Sequence, residues 1–146
     1  MEKDKLPMLD IDISEYIPQR PPFVLITGVT EVDEQNITTI FEVPEGHVLE
    51  ENGTLKAGGL IENIAQSAAF YAGYSYKKNG QEIPIGFISS VKGLETTRLP
   101  LVGETITTKV SLVNEVMDFK IFEGKVWDEK QELLARCELR VFTQKG

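Results

Sequence analysis

One cysteine and one histidine stand in 146 residues, and each scarcity closes off a class of chemistry. The lone Cys137 cannot form an internal disulfide, so a reducing compartment is the simpler setting. There is no cysteine–histidine cluster to hold a metal and no glycine-rich loop ending in a phosphate-binding lysine, so the sequence offers no metal site and no cofactor site. No apolar run approaches bilayer-spanning length, and no basic start followed by an apolar stretch marks the N-terminus. A soluble, cytoplasmic protein with no membrane role is predicted, in which the triplets Asn36-Ile37-Thr38 and Asn52-Gly53-Thr54 carry no glycan. Positive charge is also short. With 15 basic against 23 acidic residues the net charge is −8, which argues against a nucleic-acid backbone as the ligand.

What is present is enough to build one core. Hydrophobic residues make up 41% of the chain, and no repeat, low-complexity tract or linker divides it, so a single domain over residues 1–146 is predicted, with 1–11 frayed. Residues 12–16 read as a short helix stopped by Pro18. Residues 23–32 and 37–43 are rich in β-branched and aromatic side chains, with a break at 33–36 that reads as a hairpin. From Gly59 to Tyr76 no proline intervenes, and Leu60, Ile61, Ile64, Ala65, Ala68, Ala69 and Ala72 recur at helical spacing. Lys77-Lys78-Asn79-Gly80 closes that helix with cations and a glycine. Four strand-like pieces follow, near 83–94, 104–114, 116–128 and 133–143, with turns at 99–103 and 114–115. Two strands, a long helix and four strands give an α+β fold: one antiparallel sheet wrapped around a central helix whose alanines permit close approach.

Glu62 stands near the start of that helix among Leu60, Ile61, Ile64 and Ala65, and fifteen residues upstream stands the only histidine, His47. A carboxyl in apolar company and an imidazole can divide acid and base roles between them. Each has a plainer reading: a glutamate near a helix start favours the dipole, and a lone histidine after Pro44-Glu45-Gly46 is a loop residue.

Four segments in order carry a family resemblance: Ile17-Pro18-Gln19-Arg20-Pro21-Pro22-Phe23-Val24-Leu25-Ile26, then Gly46-His47, then Leu60-Ile61-Glu62-Asn63-Ile64-Ala65-Gln66, then Leu99-Pro100-Leu101-Val102-Gly103-Glu104-Thr105-Ile106. They resemble the I/L-P-H-R-x-P-F-L-L-V, G-H-F-P, L-I-E-A-M-A-Q and R-P-V-x-P-G-D-x-L segments of hotdog-fold β-hydroxyacyl-acyl-carrier-protein dehydratases. Gln19 replaces the family's histidine, Thr27-Gly28 an Asp-Arg pair, and Val48-Leu49 the Phe-Pro after the histidine; the loop 50–56 lacks the family's prolines. The chain is thus similar to a divergent branch.

The resemblance implies a hotdog homodimer acting on an acyl-carrier-protein or coenzyme A thioester. It also implies removal of water from a 3-hydroxyacyl group by His47 and Glu62. Read from the residue types alone, His47 Nε2 takes the α-proton and Glu62 protonates or orients the leaving hydroxyl; the resemblance adds that each site draws His47 from one subunit and Glu62 from the other. At 100° per residue Ala65, Gln66, Ala69 and Gly73 share the flank of Glu62, leaving room for an acyl chain with the Gln66 amide one turn away. Gly58 and Gly59 at the helix start would let the thioester approach backbone N–H groups. Lys77, Lys78, Lys92 and Arg98 form a candidate basic rim for a phosphopantetheine arm, or simply a solvated surface. Two alternatives remain: thioester hydrolysis with Glu62 activating water, and an acyl-binding subunit without chemistry.

Overall fold

The β-branched stretches and the one alanine-rich, proline-free stretch separate into sheet and helix. In the computed structural model, which describes residues 7–144, a 22-residue helix α1 (Ala57–Lys78) packs on a six-stranded sheet. The strands are β1 (Gly28–Val32), β2 (Asn36–Glu42), β3 (Glu50–Glu51), β4 (Thr54–Leu55), β5 (Ile85–Thr96), β6 (Thr105–Val116), β7 (Phe119–Trp127) and β8 (Leu133–Gln144). The sheet order is β1-β2-β6-β7-β8-β5 with every neighbour antiparallel, while β3 and β4 pair separately just before the helix. Among the described residues no helix is long and apolar enough to cross a membrane.

Alternation along β7 turns Phe122, Gly124 and Val126 toward α1, which buries Leu60, Ile64, Ala68, Phe70 and Tyr71 against the sheet. Each of those larger side chains contributes about 1.5–3 kcal/mol by leaving water. A Cβ on Gly124 would lie 2.4 Å from Ile64 Cγ2, so this glycine sets how closely helix and sheet approach. The helix rests on β2, β6 and β7. The inner faces of β8 and β5 therefore extend beyond its own footprint.

Three boundaries differ from the residue pattern. Residues 23–27 precede β1 without strand structure, although Leu25 and Ile26 are buried. Side chains of α1 take the backbone groups of Leu25. Strand β6 runs on to Val116, which pairs with Phe119, and a bulge between Leu112 and Asn114 absorbs the extra residue; the turn falls at Met117-Asp118, where Met117 has φ 55°. The helix begins two residues early and ends two late. The short helix expected at 12–16 is a 3-10 turn, Ile13–Glu15, whose N-cap Asp12 accepts from Ser14 N at 3.0 Å. Of the N-terminal stretch expected to fray, residues 1–6 lie outside the described residues, and Leu9 N donates to Val29 O at 2.8 Å. Cys137 lies in β8, and burial pushes its thiol up to about 11, which makes it a poor nucleophile.

Arg98, expected on a basic rim, is already engaged. Its guanidinium donates to both Glu104 oxygens at 2.8 Å and to Asp128 Oδ2 at 3.0 Å, while Asp128 Oδ1 accepts from Lys130 N (2.8 Å) and Glu132 N (2.9 Å). Burial pushes the buried Asp128 carboxyl up, but the Glu132 and Lys130 N–H groups and Arg98 outweigh it and hold the group below its ordinary 3.8. Arg98 likewise lowers Glu104. A lowered carboxyl contributes stability above the unfolded value and loses it as pH falls through the folded one. Asp128→Ala should therefore cost about 2 kcal/mol at neutral pH. In urea unfolding the gap between wild type and variant should narrow as pH drops below roughly 4; a gap that widens in acid would contradict this assignment.

Candidate active site

Glu62 lies in the second turn of α1, half-buried, and its Oε1 accepts from Gln66 Nε2 at 3.0 Å. Gln66 is 0% exposed. Its Nε2 also donates to Phe23 O at 2.8 Å, and its Oε1 accepts from Leu25 N at 2.8 Å. The neighbouring Asn63, equally buried, donates to Leu25 O at 2.8 Å and accepts from Thr108 Oγ1. Two helix side chains thus replace a strand partner for residues 23–25, which explains both the lack of β structure there and the fixed rotation of the Glu62 carboxyl. Both amide hydrogens of Gln66 are engaged inside the protein, so this residue acts on its surroundings chiefly by orienting Glu62.

From Glu62 and Gln66 a groove of ≈ 750 Å³ runs along the alanines at 65, 68, 69 and 72 to Tyr76, with Phe122, Val141 and Ile88 opposite. Ala65, Gln66 and Ala69 share the flank of Glu62 as helical geometry predicts. Gly73 does not: a Cβ there would lie 2.6 Å from Tyr16 O, so it serves the packing of the N-terminal segment on the helix. The groove is bounded partly by the inner faces that α1 leaves uncovered. Its far end carries Tyr76 and Lys120, which the residue pattern did not bring forward as site residues.

His47 follows β2 on a loop, half-buried and edge-on to Phe41 with ring centroids 6.3 Å apart. Its Nδ1 accepts from Leu49 N at 3.0 Å. A neutral ring that accepts at Nδ1 carries its proton on Nε2. Nε2 is buried and has no hydrogen-bond partner among the described residues, an omission rare in folded proteins outside functional sites. His47 does not line the groove of its own chain. One chain therefore joins Glu62 with Gln66 and leaves His47 apart.

The helix start is uncapped by any side chain: Lys56 is the N-cap, and Gly59 N and Leu60 N bond back to its carbonyl at 2.8 and 3.2 Å. Gly58 is exposed, with nothing within 4 Å of where a Cβ would stand. Gly59 is buried, and a Cβ would lie 2.6 Å from a Leu55 methyl, so the space it leaves is filled by Leu55. Lys77, another residue of the expected rim, sits over the Tyr16 ring at 5.0 Å and 3.8 Å from Glu15.

A long helix cradled by an antiparallel sheet defines the hotdog fold. A family model described as ApeP-like, ApeP dehydratase, matches residues 11–145, and the chain belongs to that family. The 3-hydroxyacyl-acyl-carrier-protein dehydratase FabZ of Coxiella burnetii (strain RSA 331 / Henzerling II) is 26% identical over 142 residues, covering 92% of this chain and 97% of that one. The FabZ of Anaeromyxobacter dehalogenans (strain 2CP-C) is 24% identical over 141 residues, with 92% and 84% covered. Among solved structures, the dehydratase heterocomplex ApeI:P from Xenorhabdus doucetiae superposes with a TM-score of 0.83 at 19% identity over 92% of each chain. A hypothetical thioesterase protein with coenzyme A from Streptococcus pneumoniae reaches 0.66 at 9% identity over 80% and 84%. The resemblance carried by the motifs is met: the protein is a divergent member of a hotdog dehydratase family, a hydro-lyase.

Proposed function

We propose that the protein converts a 3-hydroxyacyl thioester into the 2-enoyl thioester, in a site built from Glu62 of one chain and His47 of another. The observation that carries this reading is the groove, which is walled by alanines along α1 and has the clamped Glu62 carboxyl at its head. The Glu62 carboxylate takes the α-proton, the electron pair forms the Cα–Cβ double bond, and the Cβ–O bond breaks. The departing hydroxyl then takes the same proton from Glu62 and leaves as water. His47 contributes the Nε2–H as a hydrogen-bond donor to the thioester oxygen while negative charge builds there. This polarity reverses the role expected from residue types alone, in which Nε2 accepts the proton; the Leu49 N–H on Nδ1 supports the reversal. Gly58, open at the helix start, leaves room for the thioester near the uncapped N–H groups. Proton transfer and hydrogen bonding suffice for the elimination, so no cofactor or metal enters it.

Two observations support a shared site. His47 stands outside the groove of its own chain, and the edge strand β5 exposes Phe87 (50%) and Ile88 (45%) along that groove. A twelve-residue edge strand with exposed apolar side chains calls for another strand to cover it. A second copy of this chain fits, giving a homodimer, and the heterocomplex among the structural neighbours supports a related dehydratase subunit as the other candidate. The substrate is an acyl-carrier-protein thioester, the carrier for which the FabZ relatives are named, with a coenzyme A thioester as the alternative.

The test is mass spectrometry of a 3-hydroxyacyl carrier protein after incubation with the protein. Loss of one water from the acyl group is the expected result. Loss of the whole acyl group would replace this reading with thioester hydrolysis, and an unchanged acyl group would leave a binding subunit.

A further inference from the structure

The far end of the groove carries a charge that a plain acyl chain does not need. Alternation along β7 puts Lys120 on the same, inward face as Phe122, Gly124 and Val126, and Lys120 lines the groove with Tyr76. Its Nζ stands 4.8 Å from the centroid of the Tyr76 ring. Among the described residues no carboxylate lies within ion-pair distance of it: its cross-strand neighbour Glu115 makes no ion pair, and Glu15, also on the groove, is taken by Lys77. A half-buried cation on the inward face of a sheet, with no carboxylate at ion-pair distance among the described residues, leaves its N–H groups open to a ligand in the groove.

Distance and lining say what that is. Tyr76 follows Glu62 by fourteen residues on one helix, which places Lys120 about 21 Å from the reacting end. The helix wall between them is alanine. A ligand that fills this space is long, apolar in the middle and polar at both ends. We propose that Lys120, stacked on Tyr76, selects acyl chains whose distal end bears a hydrogen-bond-accepting oxygen, a hydroxyl or a carboxylate, over chains that end in methyl. This rests on the reading of the groove as the acyl site. The phosphate of a carrier arm is the other oxygen that a lysine could meet, but a polar arm does not match a wall of alanine methyls. The pantetheine therefore leaves on the other side of Glu62.

The experiment is equilibrium binding of non-reactive amide analogues of long-chain acyl-pantetheine, ending in methyl, hydroxyl or carboxylate, to wild type, Lys120→Met and Lys120→Arg. Wild type should bind the oxygen-ended ligands about tenfold or more tightly than the methyl-ended one. Lys120→Met should lose that preference with methyl-ended binding unchanged, Lys120→Arg should keep it, and analogues too short to reach Tyr76 should show none. Equal affinity for all ends in wild type would overturn the proposal, as would no binding at all. So would a Lys120→Met variant that weakens every ligand alike, or one whose loss tracks a phosphate added to the pantetheine. The amides undergo neither elimination nor hydrolysis, so these results stand apart from whether the protein proves to be a dehydratase in the carrier-protein assay.

Discussion

Glu62→Gln lowers turnover of a 3-hydroxyacyl thioester by about a thousandfold while leaving the melting temperature nearly unchanged. Glutamine keeps the shape, and its carbonyl oxygen can still accept from Gln66 Nε2, so the clamp on residues 23–25 survives. What it cannot do is carry a proton from Cα to the leaving hydroxyl. The loss should fall on kcat, with KM little altered, because the missing interaction belongs to the transition state. Activity retained together with a lowered melting temperature would reduce Glu62 to a member of the clamp. His47 offers a parallel with different chemistry. His47→Ala should cost roughly a hundredfold or more, and His47→Gln, which keeps an N–H donor, should recover part of it. If His47 instead accepted the α-proton, the glutamine and alanine variants would be equally dead.

The second large effect is recovery from two inactive proteins. His47→Ala and Glu62→Gln, unfolded together and refolded to pair at random, form mixed dimers in about half of the population. Each mixed dimer holds one site with both residues and one with neither, so roughly a quarter of wild-type activity returns. Were both residues drawn from a single chain, no combination would contain an intact pair. Native mass spectrometry establishes that the mixed dimer is present. Its presence without activity would sink the shared site. The expectation has a concrete origin in the single chain, where His47 stands outside the groove headed by Glu62.

Much of this was open to reading residue by residue. The run of apolar residues and alanines from Leu60 to Ala72 marked the helix and its Glu62 flank, because a period of 3.6 is a local property of the chain. The inward phase of Lys120 was also legible, since it stands two and four residues before Phe122 and Gly124 in an alternating strand. It drew no notice because a lysine in a strand usually faces water. Residues 23–27 misled for the opposite reason. Their composition is that of a strand, and nothing local reveals that Gln66 and Asn63, some forty positions away, take the backbone groups of Leu25.

The sequence by itself determined the helix, the order of strands, the family motifs and the identity of the two residues around which the chemistry is proposed. These depend on side-chain types at fixed spacing, which a one-dimensional string preserves. Tertiary structure alone decided the rest. It committed Gln66 to holding Glu62, engaged Arg98 with Glu104 and Asp128, filled the space beside Gly59 with Leu55, and aimed the Leu49 N–H at His47 Nδ1. It also kept His47 out of its own chain's groove and lined the far end of that groove with Lys120 and Tyr76. Each of those outcomes is a competition for a hydrogen bond or a volume between residues distant in the chain, and only the packed fold says which competitor arrives.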